Sequence, residues 1–195
     1  MQEIKLSKML TIKGYDGNDF EKCIDDITLD CTRIIASYEL FDEFDDESFD
    51  NDYDFEQDKE ALKQLYTNYL INETGYYVFI LYNQNTPIGF AIYSNIENTD
   101  SYILEFIHVR KDYAGMGYGT TLLRHTALNL KNYAQAGELV STINKNNARS
   151  LAMHESFVRS ANLKCYFNDY GDKIAVHMDI GKLSENNPTF EQCVL

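Results

Sequence analysis

The sequence predicts an α/β domain with a mixed central sheet flanked by helices, and three observations carry that expectation. Short apolar runs with strand character alternate with stretches of helical periodicity. The run "SYILEFIHV" (101–109) is apolar almost throughout, as expected for a strand covered on both faces. Directly after it, "YAGMGYGT" places three of the chain's ten glycines at alternate positions, Gly115, Gly117 and Gly119, ahead of a helical pattern.

"MLTIKGY" reads as the first strand. "DFEKCIDDITLDCTRIIASYEL" reads as the first helix, because Phe20, Cys23, Ile24, Ile27, Cys31, Ile34 and Ile35 recur at helical spacing and Asp19 stands as its N-cap. A second helix follows in "EQDKEALKQLYTNYLIN", with Leu62, Leu65, Tyr66, Tyr69 and Leu70 along one face. "YYVFILYN" and "IGFAIYSNI" are strands joined by the polar turn "QNTP", and "SYILEFIHV" is the next strand. Beyond the glycines, Leu122, Leu123, Ala127, Leu130 and Ala134 form a helical stripe; "ELVSTIN" is a strand and "NARSLAMHESFVRSAN" a helix. "LKCYFND" and "KIAVHMDI" close as a hairpin about Tyr170 and Gly171. The predicted order is β-α-α-β-β-β-α-β-α-β-β.

Length and a 44% hydrophobic content suffice for one domain over residues 1–195, with a short tail at 182–195. No signal-peptide pattern opens the chain and no apolar run nears the roughly 20 residues of a membrane span, so a cytoplasmic protein is expected. Cys23, Cys31, Cys165 and Cys193 lack the close pairing of a zinc site and read as reduced thiols. The formal charge of −14 is unevenly spread: residues 1–60 hold 19 acids against 6 bases, and the remainder 12 against 11. Such a field repels nucleic acid and anionic lipid, so neither is expected as a partner, and it steers cations inward. The acids concentrate in a segment at 41–60, between the first two helices. Its alternating acids do not make a calcium loop, because Phe55 and Ala61 stand where the EF-hand needs Gly and Glu, and no metal is expected.

Glycines between a strand and a helix let backbone N–H groups converge on one point at the positive end of the helix, a natural phosphate seat. A purely structural turn is the plain alternative. A Walker loop is excluded because Gly119 is followed by Thr120 and Thr121 with no Lys, and the dinucleotide fingerprint because no glycine starts its spacing.

"VRKDYAGMGYGTTLL" instead resembles the acetyl-CoA pyrophosphate loop of the GNAT N-acetyltransferases, Arg/Gln-x-x-Gly-x-Gly/Ala, with Gly117 and Gly119 at the glycine positions and Ala114 where Arg or Gln is usual. "NNARSLAMHESF" is similar to that family's Asn-x-x-Ser/Ala-x-x-x-Tyr/His segment, with Asn147, Ser150 and His154 in place. The resemblance covers about residues 76–180 and implies a GNAT-like sheet and acetyl-CoA as cosubstrate. It implies a pyrophosphate cradle at Ala114, Gly115, Met116, Gly117, Tyr118, Gly119 and Thr120, with Asn147 and Ser150 along the pantetheine arm. Backbone groups of Ile107, His108 and Val109 would face the thioester, and His154 stands where many members protonate the leaving thiolate. The helix after His154 lacks the family's usual Gly-Phe ending, so it is expected to run one turn longer, with Asn162 in the left-handed terminating position.

Glu105 interrupts the strand beside the thioester and is the first candidate for the base that deprotonates an amine, on the expectation that burial raises its basicity; a solvated or structurally paired Glu is the alternative. By strand alternation His108 lies on the other face from Glu105 unless a bulge re-aims the chain. His154 has two open roles, acid to the thiolate or base, beside a packing role. Asn147 caps its helix in either case. The function implied is acetyl transfer to a primary amine, either a small cationic acceptor such as a polyamine or aminoglycoside, or a basic peptide. A non-catalytic acyl-CoA-binding sensor is the alternative, and a homodimer is left open.

Overall fold

The structure is a computed structural model and describes residues 2–7, 9–28, 55–70 and 75–184. The acidic segment up to residue 54, the latter half of the expected first helix with Cys31, Ile34 and Ile35, and residues 185–195 with Cys193 lie outside the described residues.

Eight strands follow the order β1-β2-β3-β4-β5-β6-β8-β7 in an open mixed sheet. They are β1 (Gln2–Lys5), β2 (Leu10–Asp16), β3 (Tyr76–Asn83), β4 (Thr86–Asn95), β5 (Ser101–Val109), β6 (Glu138–Asn144), β7 (Lys164–Tyr170) and β8 (Lys173–Asp179). The described α-helices are α1 (Phe55–Leu70), α2 (Tyr118–Ala134) and α3 (Ala148–Ala161). The chain divides into two compact units, residues 1–88 with 110–112, and residues 89–109 with 113–195.

In the first unit β1, β2 and β3 are antiparallel neighbours. β1 was not foreseen, because a four-residue strand with one apolar residue, Ile4, carries no readable alternation. Ser7 closes its turn, accepting from the N–H groups of Met9 and Leu10. The expected first helix begins as a 3-10 helix, Gly17–Lys22, with Asp19 inside it and ion-paired to Lys22 instead of capping an α-helix. The sequence Asp16-Gly17-Asn18-Asp19 favours turns, and Cys23 N–H bonds back three residues to Phe20. The foreseen apolar face survives: Phe20, Cys23 and Ile27 are buried, as are Leu62 and Tyr66 of α1. Leu65 is 49% exposed, off the stripe assigned to it, and the side chains of Tyr69 and Leu70 lie outside the description.

In the second unit β5 pairs antiparallel with β4 and parallel with β6, and β8 lies between β6 and β7. One face carries α2, where Tyr93 of β4, fully buried, is hydrogen-bonded to Thr126. Asn162 ends α3 in the left-handed conformation, φ 51°, with its N–H bonded to Arg159 and Val158 carbonyls, as the missing Gly-Phe led one to expect. Gly171, φ 83°, turns the β7–β8 hairpin at the expected place.

Gly89 brings β4 unusually close to β5: a Cβ there would sit 2.7 Å from the His108 carbonyl oxygen, which is rigid backbone. Gly89→Ala is therefore expected to cost about 1–3 kcal/mol through overpacking, read as a lower denaturant midpoint with an unchanged slope.

Candidate active site

Two strands that should run together part company. The β5–β6 ladder pairs Ser101–Leu104 with Glu138–Ser141 and goes no further, although β5 continues to Val109 and β6 to Asn144. The closed end is tied across the strands by Ser101, which donates to Glu138 at 2.8 Å; Tyr166 donates to the same carboxylate at 2.9 Å. Beyond Leu104, β5 presents an edge to a V-shaped opening.

Which backbone groups point into the opening follows from the β4–β5 ladder. Arg110 N–H bonds to the Ile88 carbonyl at 2.9 Å, and hydrogen-bonded pairs alternate along an antiparallel ladder. Phe90 and His108 form the next bonded pair, so the His108 N–H is turned towards β4, whereas the backbone groups of Ile107 and Val109 point towards the opening. Of the three residues expected to face a thioester, Ile107 and Val109 turn backbone groups to the opening and His108 turns its own to β4.

The glycines stand at the wide end. Gly115 and Gly117 have φ of 78° and 80°, the left-handed region in which a side chain is strained. Gly117 is the N-cap of α2 and offers no side chain, so the first-turn N–H groups at Tyr118, Gly119 and Thr120 have no intrahelical acceptor and sit at the positive helix end. Gly119 serves packing: a Cβ there would meet Met153 Sδ of α3 at 2.8 Å and Val109 of β5 at 3.9 Å. The end of β5, the start of α2 and the middle of α3 converge on this residue. Met116 is exposed, and Tyr118 packs edge-on against Tyr113. Of the arginines flanking the loop in sequence, Arg110 pairs with Asp112 at 3.0 Å and Arg124 is buried in α2. Backbone dipoles thus remain the loop's main attraction for an anion.

On α3, Asn147 is the N-cap and accepts from Ser150 N–H at 3.0 Å. His154, next to Met153, is only 2% exposed. Its Nδ1 lies 2.8 Å from the Ser150 carbonyl, an acceptor, so Nδ1 carries the proton and Nε2 keeps a lone pair. Nε2 is buried with no hydrogen-bond partner among the described residues. Burial pulls the imidazole below its ordinary value of 6.5, opposed by the Ser150 bond, so the ring is neutral at pH 7. The charged, acid form considered from sequence is disfavoured.

Glu105 differs from expectation in two ways. It is exposed instead of buried, and it is the extra residue of a β-bulge: Ile92 pairs with Phe106 and Tyr93 with Leu104, leaving Glu105 without an opposite number. Alternation from Ile103, the partner of Ser94, puts its side chain on the face of Ser94, which donates a hydrogen bond to Oε1, and the bulge turns Phe106 and His108 onto that face as well. Glu105 therefore shares a face with Phe90, Phe106 and His108, whose rings stack with centroids 5.5 to 6.3 Å apart. Ser94 and the bulge were missed from sequence. A faint signal exists in "YILEFIHV", where the inward parity shifts from Tyr102 and Leu104 to Ile107 and Val109 across Glu105. Elsewhere, burial and the nearby Arg124 charge push His125 down to about 4, and His177 stacks on Tyr166 beside Glu138, both away from the opening.

A helix N-terminus suited to phosphate, an open strand edge suited to a carbonyl and a buried imidazole short of one hydrogen bond fit a long ligand with those two ends, the demand that an acyl-coenzyme A transferase meets. The sequence matches the Acetyltransferase (GNAT) family over residues 37–157, more than half of the chain, and the protein belongs to that family, which makes it an acetyl-CoA-dependent N-acetyltransferase. Solved structures agree in fold. The PaiA N-acetyltransferase of Thermoplasma acidophilum in complex with coenzyme A superposes with a TM-score of 0.58 at 15% identity, covering 87% of this chain and 98% of that one. A spermidine N-acetyltransferase SpeG chimera from Vibrio cholerae gives 0.55 at 15% identity, with 90% and 98% covered. The ribosomal-protein-S5-alanine acetyltransferase of Vibrio fischeri gives 0.55 at 12%, with 97% and 100% covered. No curated protein sequence matches. Among the described residues no helix is long and apolar enough to cross a membrane.

Proposed function

We propose that the acceptor is a cationic primary amine, a polyamine, an aminoglycoside or a basic peptide, with Glu105 as the base. The observation that carries this reading is an exposed carboxylate at a bulge, one residue beyond Leu104, where the β5–β6 ladder ends. An alkylamine with a pKa of about 10.4 arrives protonated at neutral pH, so a carboxylate both attracts it and takes its proton. The formal charge of −14 concentrates such cations around the protein.

Bound acetyl-CoA supplies the acetyl thioester. The first-turn N–H groups of α2 with the loop Ala114–Thr120 hold its pyrophosphate, Asn147 and Ser150 border its pantetheine arm, and the N–H of Ile107 polarises the carbonyl oxygen. Glu105 takes one proton from the ammonium, the freed nitrogen bonds to the carbonyl carbon, and the carbon–sulfur bond breaks. His154 Nε2, holding a lone pair, accepts the second nitrogen proton and hands it to the departing sulfur, leaving the N-acetylated amine and the thiol, while Glu105 returns its proton to solvent.

Thiol release from acetyl-CoA, followed with a chromogenic reagent against spermidine, aminoglycosides, amino acids and basic peptides, tests the reading. Turnover is expected with the polycations, with an acceptor KM that rises with salt while kcat holds. Turnover confined to neutral or anionic amines, or none, would overturn it.

A further inference from the structure

We infer that Ser94 is a positioning residue for acetyl transfer, aiming the carboxylate of Glu105; the inference rests on the reading of Glu105 as base.

Ser94 and Glu105 differ in mobility. Ser94 is 8% exposed in the middle of the sheet, on β4, whose pairing with β5 runs on both sides of the bulge. Its neighbour Tyr93 is fully buried and bonded through its hydroxyl to Thr126 of α2, so β4 is pinned from the opposite face at this very point. Glu105 is exposed on an unpaired bulge residue, with three rotatable side-chain bonds. A hydrogen bond from a fixed donor to a mobile acceptor acts mainly on the acceptor. Here it selects one rotamer of Glu105, occupies Oε1 and leaves Oε2 for an incoming ammonium.

Stability alone does not account for the pairing. An exposed carboxylate is well solvated by water, so the fold gains little by supplying it with a donor. For proton transfer the same bond matters, because a base works only within hydrogen-bond reach of the proton it takes, and supporting contacts keep it there. Alternation from Ile103, the partner of Ser94, puts Glu105 on the face of Ser94, and the bulge leaves it there with no residue directly opposite while turning Phe106 and His108 onto the same face.

The test uses the full-length enzyme with acetyl-CoA and the fastest amine of the panel above, expected to be spermidine. Ser94→Ala should lower kcat roughly tenfold, the scale of one hydrogen bond to a charged group, with KM for acetyl-CoA and the thermal midpoint unchanged. Ser94→Thr, which keeps the hydroxyl, should recover most of kcat. Glu105→Gln should lower kcat by about 10²-fold or more, and adding Ser94→Ala to it should change kcat less than about twofold, because no base is left to aim. Wild-type kcat in Ser94→Ala beside an impaired Glu105→Gln, or additive losses in the double variant, would overturn the positioning role while leaving Glu105 as base. Wild-type kcat in Glu105→Gln would remove the base itself, and Ser94 with it.

Discussion

Gly117→Asp abolishes coenzyme A binding in a protein that still folds: this is the largest effect the structure leads us to expect. Asp is among the best N-cap residues and tolerates the left-handed conformation better than most, so α2 keeps its start at the φ of 80° that Gly117 now occupies. In the proposed binding mode the same carboxylate competes for the first-turn N–H groups and adds a negative charge beside those of the pyrophosphate. Affinity should fall more than about 100-fold by titration calorimetry, with an unchanged circular dichroism spectrum. Because the proposed seat is made of backbone groups, with Arg110 paired and Arg124 buried, Gly117→Ala, with no charge, should weaken binding far less. Equal affinity in folded Gly117→Asp would place the pyrophosphate elsewhere.

His154→Phe should separate binding from turnover in the other direction. Phenylalanine fills a buried site and removes an Nε2 that has no partner among the described residues, so the fold and coenzyme A affinity should hold while kcat falls by about 10²-fold. Unaltered kcat would exclude His154 from the proton path. The substitution also has a stability signature with a definite sign. Burial lowers the folded imidazole below its unfolded value, so protonation favours the unfolded chain. The wild type keeps its full contribution above about pH 6.5 and loses it as pH falls through the folded value. Denaturant melts from pH 7 downwards should therefore show the wild type losing ground to His154→Phe.

Much of this site is legible in the sequence because it is built from backbone conformation. Gly115 and Gly117 announce positive φ by being glycine, Asn147 announces a cap, and the strand and helix periods around them are long enough to read. What the sequence hides are offsets between strands. That the β5–β6 ladder stops at Leu104, that Glu105 is the unpaired residue and that Ile107 rather than His108 turns its N–H to the opening all depend on pairing partners far along the chain. Leu65 and the 3-10 start at Gly17 were misread for a related reason, because local pattern does not say what packs against it. The same blindness made Glu105 look buried.

The ladder between β5 and β6, four pairs long and locked by Ser101 on Glu138, also has a mechanical meaning. It is a fulcrum. The free lengths of β5 and β6 are lever arms, so a small rotation at the closed end is magnified at the open end. Ser101, Glu138 and the Tyr166 that donates to Glu138 stand at the pivot, so the angle between the two strands is set there, far along the chain from the glycines at the open end.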